Sequence, residues 1–375
     1  MDALTEFLTG FGEEPGYLDF ASFGPLSAAV VAETAAHDDA LRRARHGTGE
    51  RLDRNVARLR DAAAALTGFR SDQVVFQPST SQGITQAVFG FTGGLLVSSA
   101  DHPALRIVAA RAAEALQVVT PIPLAADGGR VTPGTVRDAL TGGTAGVLVS
   151  AVDARTGHVA DLDGIRQVIG DRLLIVDAAQ AVGAVDLPWH AADVIACGGR
   201  TWLRAGWGGA FLAVSDRAAQ ELTPVLSGVG GVAEDQDGDR VPPPAHGAAG
   251  LQISQPDPLA AGRLAGALED LAQAGPAAVA AGVAERVARV LALADEFGLP
   301  VVSPRAVGER AGIVVVEPLP ERLTALTAAL FNHGVSVTIR GGRVRLSPHA
   351  GTTEETIGML RSALTAYATA VRPVR

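Results

Sequence analysis

Six stretches of this sequence carry side chains that could do chemistry together. Phe76-Gln77-Pro78-Ser79-Thr80-Ser81-Gln82-Gly83-Ile84 places hydroxyl residues after an apolar run and at the start of a helical segment. Free N–H groups and the positive dipole end at a helix start suit a phosphate dianion, although an ordinary serine/threonine helix cap has the same signature. Leu174-Ile175-Val176-Asp177-Ala178-Ala179-Gln180-Ala181-Val182-Gly183 ends an apolar strand in a carboxylate, with a glutamine three residues on. Arg343-Val344-Arg345-Leu346-Ser347-Pro348-His349 reads as a strand with two arginines on one face. A guanidinium fork matches a carboxylate bidentately, and Arg343 competes with Arg345 for that part. Ser99-Ala100-Asp101-His102-Pro103 pairs an acid with a histidine, and Tyr17 to Leu26 is an aromatic-aspartate-glycine-proline string. Cys197-Gly198-Gly199-Arg200-Thr201-Trp202-Leu203-Arg204-Ala205-Gly206-Trp207-Gly208 joins a strand end to a glycine-rich turn.

The elements that must position these residues alternate along the chain. Val74 to Phe76, Gly94 to Ser98, Gly146 to Ala151, Leu173 to Asp177, Val194 to Cys197 and Ala210 to Val214 read as buried strands. Helix-period segments lie between several of them: Arg51 to Leu66, Ser81 to Phe91, Pro103 to Leu116 and Leu162 to Ile169. That alternation predicts a mostly parallel sheet covered on both faces, with ligands at the carboxyl ends of its strands. Gly228 to Ala249 lacks periodicity and reads as a long functional loop. Helices are expected over Pro258 to Ala274 and from about Ala277 to Phe297. The tail then alternates. Strands at Gly312 to Glu317, Val335 to Ile339 and Arg343 to Leu346, with helices at Glu321 to His333 and Thr353 to Val371, predict a compact α+β unit. The expected division is a large domain over 16–258 and a small one from 1–15 with 259–375.

Composition bounds the function. The 375 residues suit one large and one smaller core. A net charge of −9 argues against nucleic acid, which usually leaves a basic footprint. The acidic start does not read as a signal peptide, and no charge-free apolar stretch is long enough to span a bilayer, so a cytoplasmic protein is expected. Cys197 is the single cysteine, which excludes a disulfide framework or a cysteine-based metal site, and no metal is expected. All 31 basic residues are arginine, so the chain has no lysine and no side-chain primary amine. Arginine-for-lysine drift in a GC-rich genome accounts for the surface. It does not account for a position whose chemistry needs an amine.

Taken in order, these segments resemble the class V aminotransferases, the fold-type I enzymes of pyridoxal 5'-phosphate (PLP) that include cysteine desulfurases, isopenicillin-N-epimerase-like enzymes and C–S lyases. The similarity covers nearly the whole chain, and its strongest element is the Asp177 strand followed by the Cys197 to Gly208 turn. The resemblance implies that Ser79, Thr80, Ser81 and Arg200 hold the cofactor phosphate. It further implies that His102 stacks on the pyridine ring, Asp177 faces the ring nitrogen and Gln180 contacts the phenolic oxygen. Arg345 would clamp the carboxylate of an amino-acid substrate, with Ser22 of the opening segment beside it. Relatives carry lysine where this chain has Thr201. That lysine forms the Schiff base with the cofactor and then moves the substrate's α-proton.

Threonine can do neither job, and three readings stay open. Thr201 marks a trapped form of a lysine enzyme, or a protein using PLP or pyridoxamine phosphate noncovalently, or a non-catalytic binding relative. Two further departures narrow the chemistry. No cysteine follows Cys197, against the nucleophilic cysteine of desulfurases, and Asp153-Ala154 replaces the family's asparagine before the cofactor aspartate. The resemblance also implies a homodimer with the site at the subunit interface, the Gly228 to Gln255 segment reaching toward the partner. The reaction would be β-elimination (C–S cleavage included), epimerisation or transamination.

Overall fold

The computed structural model describes residues 2–125, 128–233 and 240–371. The chain opens with α1 (Ala3–Thr9), α2 (Ala28–Arg43) and α3 (Thr48–Thr67), then β1 (Val74–Gln77), α4 (Thr80–Gly90), β2 (Gly93–Ser98), α5 (Pro103–Leu116) and β3 (Val119–Leu124). It continues with α6 (Pro133–Ala139), β4 (Thr144–Ser150), α7 (Leu162–Ile169), β5 (Leu173–Asp177), β6 (Val194–Gly198), β7 (Ala210–Val214) and α8 (Asp216–Glu221). The remainder is α9 (Pro258–Ala274), α10 (Pro276–Glu296), β8 (Val314–Val316), α11 (Pro320–Asn332), β9 (Thr338–Arg340), β10 (Arg343–Leu346) and α12 (Glu354–Ala370).

Seven strands form one sheet in the order β1-β7-β6-β5-β4-β2-β3. Strands β3, β2, β4, β5 and β6 run parallel, and β7 is antiparallel to both β6 and β1. Alternate residues bury on opposite faces: Leu174, Val176 and Ile195 enter one apolar cluster, Leu173, Ile175 and Val194 the other. Burial on both faces is why these strands read as continuous apolar runs. A second sheet, β8-β10-β9, is antiparallel and lies in the C-terminal part. This is the mixed α/β architecture of fold type I, with a large, mostly parallel sheet and a smaller C-terminal one.

Strand β3 is absent from the expected set because Pro121 and Pro123 interrupt its pattern. It is an edge strand paired only with β2, where a missing N–H costs no ladder bond. Four helices, α1, α2, α6 and α8, are also absent from the expected set; α1, α6 and α8 are short and set by side-chain caps at Asp2, Thr132 and Ser215. The 258/259 boundary falls at the start of α9, which packs on α3 and α2. Of the expected Gly228–Ala249 loop, residues 234–239 lie outside the described residues. Among the described residues no helix is long and apolar enough to cross a membrane.

Sheet direction positions the chemistry. Ser150 pairs with Asp177 and Asp177 with Ala196, so the carboxyl ends of β4, β5 and β6 finish along one edge. Helix α4 begins three residues after β1, whose end pairs with the start of β7 beside Gly198.

Candidate active site

A cavity of about 190 Å³ opens at that edge. Its walls include Ser79, Thr80, Ser81, His102, Asp177, Gln180, Arg200 and Thr201, so the tertiary structure gathers residues spread over more than a hundred positions of sequence. The Ser79 hydroxyl caps α4 by accepting from Gln82 N at 3.2 Å. The N–H groups of Thr80 and Ser81 then have no intrahelical acceptor. Gly198 makes room for this helix end: a Cβ there would lie 2.8 Å from Thr80 Oγ1. His102 caps α5, its Nδ1 accepting from Ala104 N at 3.3 Å.

Asp177 ends β5 with Oδ1 accepting from Ala179 N at 3.0 Å. Among the described residues no other hydrogen bond reaches this carboxylate. Burial pushes its pKa up, partly opposed by the Ala179 N–H and by His102. A buried carboxylate in this state keeps its charge readily only beside a cation. A protonated pyridine nitrogen would supply one, and a phosphate would satisfy the free N–H groups of α4. On both counts the residues present fit PLP.

Thr201 is 4% exposed and its Oγ1 donates to Ala179 O at 2.8 Å. Behind it stands a rigid frame that sequence reasoning missed. Trp202 Nε1 donates to Gln180 Oε1 at 2.7 Å, and Gln180 Nε2 donates to Ala21 O at 2.9 Å. Gln180 therefore ties the Trp202 turn to the opening segment. Buried His349 accepts from Ala350 N through Nδ1 and donates through Nε2 to Trp202 O at 3.1 Å. Burial, then the Arg204 charge, pushes the His349 pKa down to about 3, so the ring is neutral. Arg204 is left-handed (φ 56°) and 1% exposed. It donates to Pro25 O at 3.0 Å and Gly10 O at 2.8 Å, with its guanidinium 3.6 Å from the Phe11 ring centre. No motif in the sequence separates this buried arginine from the surface ones.

A second cavity of about 540 Å³ adjoins the first through His102, Ala154, Gln180 and Arg200, residues common to both walls. Arg345 and Ser22 meet there as expected: Nη2 donates to Ser22 Oγ at 2.5 Å and to Thr338 Oγ1 at 3.1 Å, and Nη1 to Ala154 O at 3.2 Å. Its Nε is buried with no partner among the described residues. Arg343, the competitor, lines the same cavity but pairs with Glu317 at 3.0 Å. Asp153 is buried and turned to its own loop, accepting from Thr156 Oγ1 at 2.8 Å and Arg155 N at 2.9 Å. Ala154 alone of that pair faces the cavities.

Comparison with known proteins gives the family and the fold. A probable cysteine desulfurase of Methanothermobacter thermautotrophicus is 30% identical over 235 residues, 59% of this chain and 58% of the relative's own length. The match thus spans less than two thirds of that protein. An apo cysteine desulfurase from Thermococcus onnurineus NA1 superposes with a TM-score of 0.84 at 18% identity, covering 95% of each chain. The cystine C–S lyase C-DES, solved as a lysine-to-alanine variant with glycine covalently linked to its PLP cofactor, superposes with a TM-score of 0.83 at 19% identity, covering 94% of this chain and 96% of its own. The family model for aminotransferase class-V matches residues 17–369. The cofactor of that family is PLP, and this chain belongs to the class V aminotransferases.

Proposed function

We propose that this chain binds PLP or pyridoxamine phosphate noncovalently and presents it to an amino acid in the adjoining cavity. The observation that carries the reading is one cavity wall that holds Ser79, Thr80, Ser81, His102, Asp177, Gln180 and Arg200 together with Thr201, in a chain that has no lysine. The α4 end, Asp177, His102 and the Gly198–Gly199 opening persist, while the Thr201 hydroxyl is spent on Ala179 O. When bound, the cofactor supplies an electron sink for bond breaking at the α-carbon. In this reading the first turn of α4 and Arg200 bind the phosphate, Asp177 holds a proton on the ring nitrogen, and His102 covers the ring. Arg345 and Ser22 orient the substrate carboxylate. With no lysine in the chain, no side-chain amine competes with the amine of the substrate. The C-DES variant carrying glycine on its PLP after a lysine-to-alanine change is a precedent for such a state in this fold.

β-Elimination, epimerisation and transamination are the reactions of the family's cradle, and each needs a base for the α-proton, a part that Thr201 does not fill. Persulfide transfer through the chain's own cysteine has no support. Cys197 is 1% exposed, and burial pushes its thiol far above the usual range, leaving it inert. We also read the protein as a cytoplasmic homodimer, with a large cofactor domain over 16–258 and a small domain from 1–15 and 259–375. Trp207 supports the dimer: it lines the first cavity, stacks on Phe23 at 4.7 Å, and is still 62% exposed.

The test is a difference-absorbance titration with PLP and with pyridoxamine phosphate. Saturable binding is expected, and Asp177→Ala should weaken it at least ~10-fold, the worth of a charge-assisted hydrogen bond. Equal binding by the variant would sink the assignment. Failure of both cofactors to bind the unaltered chain would favour the second reading, a non-catalytic relative kept for another partner.

A further inference from the structure

The second cavity is far more cationic than one substrate carboxylate requires. Arg155, Arg200, Arg340, Arg343 and Arg345 line it; among the described residues Glu317 is the only acidic one in its wall, with Asp19 behind it 3.7 Å from Arg345. The chain as a whole carries −9, so this concentration is local. Four of the five arginines have an assignment. Arg343 is paired with Glu317, Arg155 lies 3.3 Å from Asp153, Arg345 belongs to the substrate carboxylate, and Arg200 to the phosphate. Arg340 remains, and among the described residues it pairs with no carboxylate.

Register makes that charge costly. Arg340 sits directly opposite Arg343 in the β9–β10 pair, and Thr338 opposite Arg345, so all four side chains share one face. Like charges directly opposite each other destabilise a strand pair. Burial pushes the Arg345 pKa below its ordinary value, Asp19 at 3.7 Å opposes that shift, and Arg340 adds a smaller downward push. An anion in the cavity relieves both repulsions. The space suits it: about 540 Å³ lies within the ~300–1,000 Å³ typical of whole small-molecule sites, and the cofactor reading assigns PLP to the first cavity.

We infer that this cavity selects amino acids carrying a second anionic group at the far end of the side chain, a carboxylate or an oxyanion of phosphorus or sulfur, and that Arg340 receives it. Arg340 is thereby a specificity residue of the site. The inference rests on the cofactor reading above.

The probes are reduced cofactor–amino acid conjugates, phosphopyridoxyl-L-glutamate and phosphopyridoxyl-L-aspartate, against phosphopyridoxyl-L-glutamine and phosphopyridoxyl-L-asparagine. They are stable secondary amines and need no lysine, so calorimetry on the unaltered chain reads binding alone. The acid conjugates should bind ~10-fold or more tighter than their amides, and Arg340→Gln should bring that ratio close to one. Arg340 is an exposed residue in a three-residue strand, and matched melting curves will show that the variant folds. A ratio near one in the unaltered chain overturns the inference, as does a ratio that survives Arg340→Gln. Pyridoxamine phosphate titrated alongside separates the two claims. If it binds and the acids gain nothing, only the specificity claim falls; if neither it nor any conjugate binds, the cofactor reading falls and takes this one with it.

Discussion

Thr201 and Asp101 show how single side chains set what this site can do. Thr201 holds a neutral hydroxyl against Ala179 O, so it offers neither an imine-forming amine nor a base. If the cradle is otherwise intact, Thr201→Lys should give, with PLP, a visible absorption band that amino acids shift and that borohydride fixes covalently. A variant that stays colourless under saturating PLP would mark the site as a remnant. Asp101 lies behind His102, 4% exposed, with Oδ2 unpartnered among the described residues. Burial, with Asp153 and Asp177 adding, pushes its pKa up to about 7. The folded state therefore holds this proton more tightly than the unfolded chain does. Stability falls as pH rises from the unfolded carboxylate value of ~3.9 to about 7, and is level above it. Asp101→Asn should raise the melting temperature at pH 8, by an amount worth up to about 4 kcal/mol, and leave it little changed near pH 3. Equal shifts at both pH values would contradict this.

At the scale of elements, the opening segment is locked onto the Thr201 turn. Gly24 N donates to Arg200 O at 2.8 Å, and a Cβ on Gly24 would stand 2.0 Å from Thr201 O. Two backbones meet there with no space for a side chain. Gly24→Ala should cost about 1–3 kcal/mol in denaturant unfolding, as overpacking does, and should weaken pyridoxamine phosphate binding because the turn carrying Arg200 must shift. Loss of stability without loss of binding would show that the segment is only a strut. Arg204 serves the same junction from the other side, through Pro25 O and Gly10 O.

At the scale of the whole molecule, two large apolar side chains stand exposed beside the first cavity. Trp207 is 62% exposed, and Leu26, whose side chain reaches Gly206, is 40% exposed. A second copy of the chain would cover them. Sedimentation velocity should give a dimer, and Trp207→Ser should weaken its association by ~10-fold or more, as for a buried aromatic anchor. A monomer at all concentrations would remove the subunit interface from the account of this site.

The sequence by itself determined the layered α/β plan, because strands buried on both faces leave unbroken apolar runs and helices between them leave a 3.6-residue period. It also determined the ordered motifs from Tyr17 to Arg345 and the absence of any lysine, since these are matters of residue type and spacing. Strand β3 escaped it, because the prolines that argue against a strand are harmless at a sheet edge. The partners of Gln180, the buried charge of Arg204 and the turning of Asp153 into its own loop were decided only by tertiary structure. So was the placing of Arg340 beside Arg343 and Arg345 on the wall of a cavity. Each depends on which segments meet in space, and a polar side chain looks the same in sequence whether its partner is water, a backbone carbonyl or a ligand.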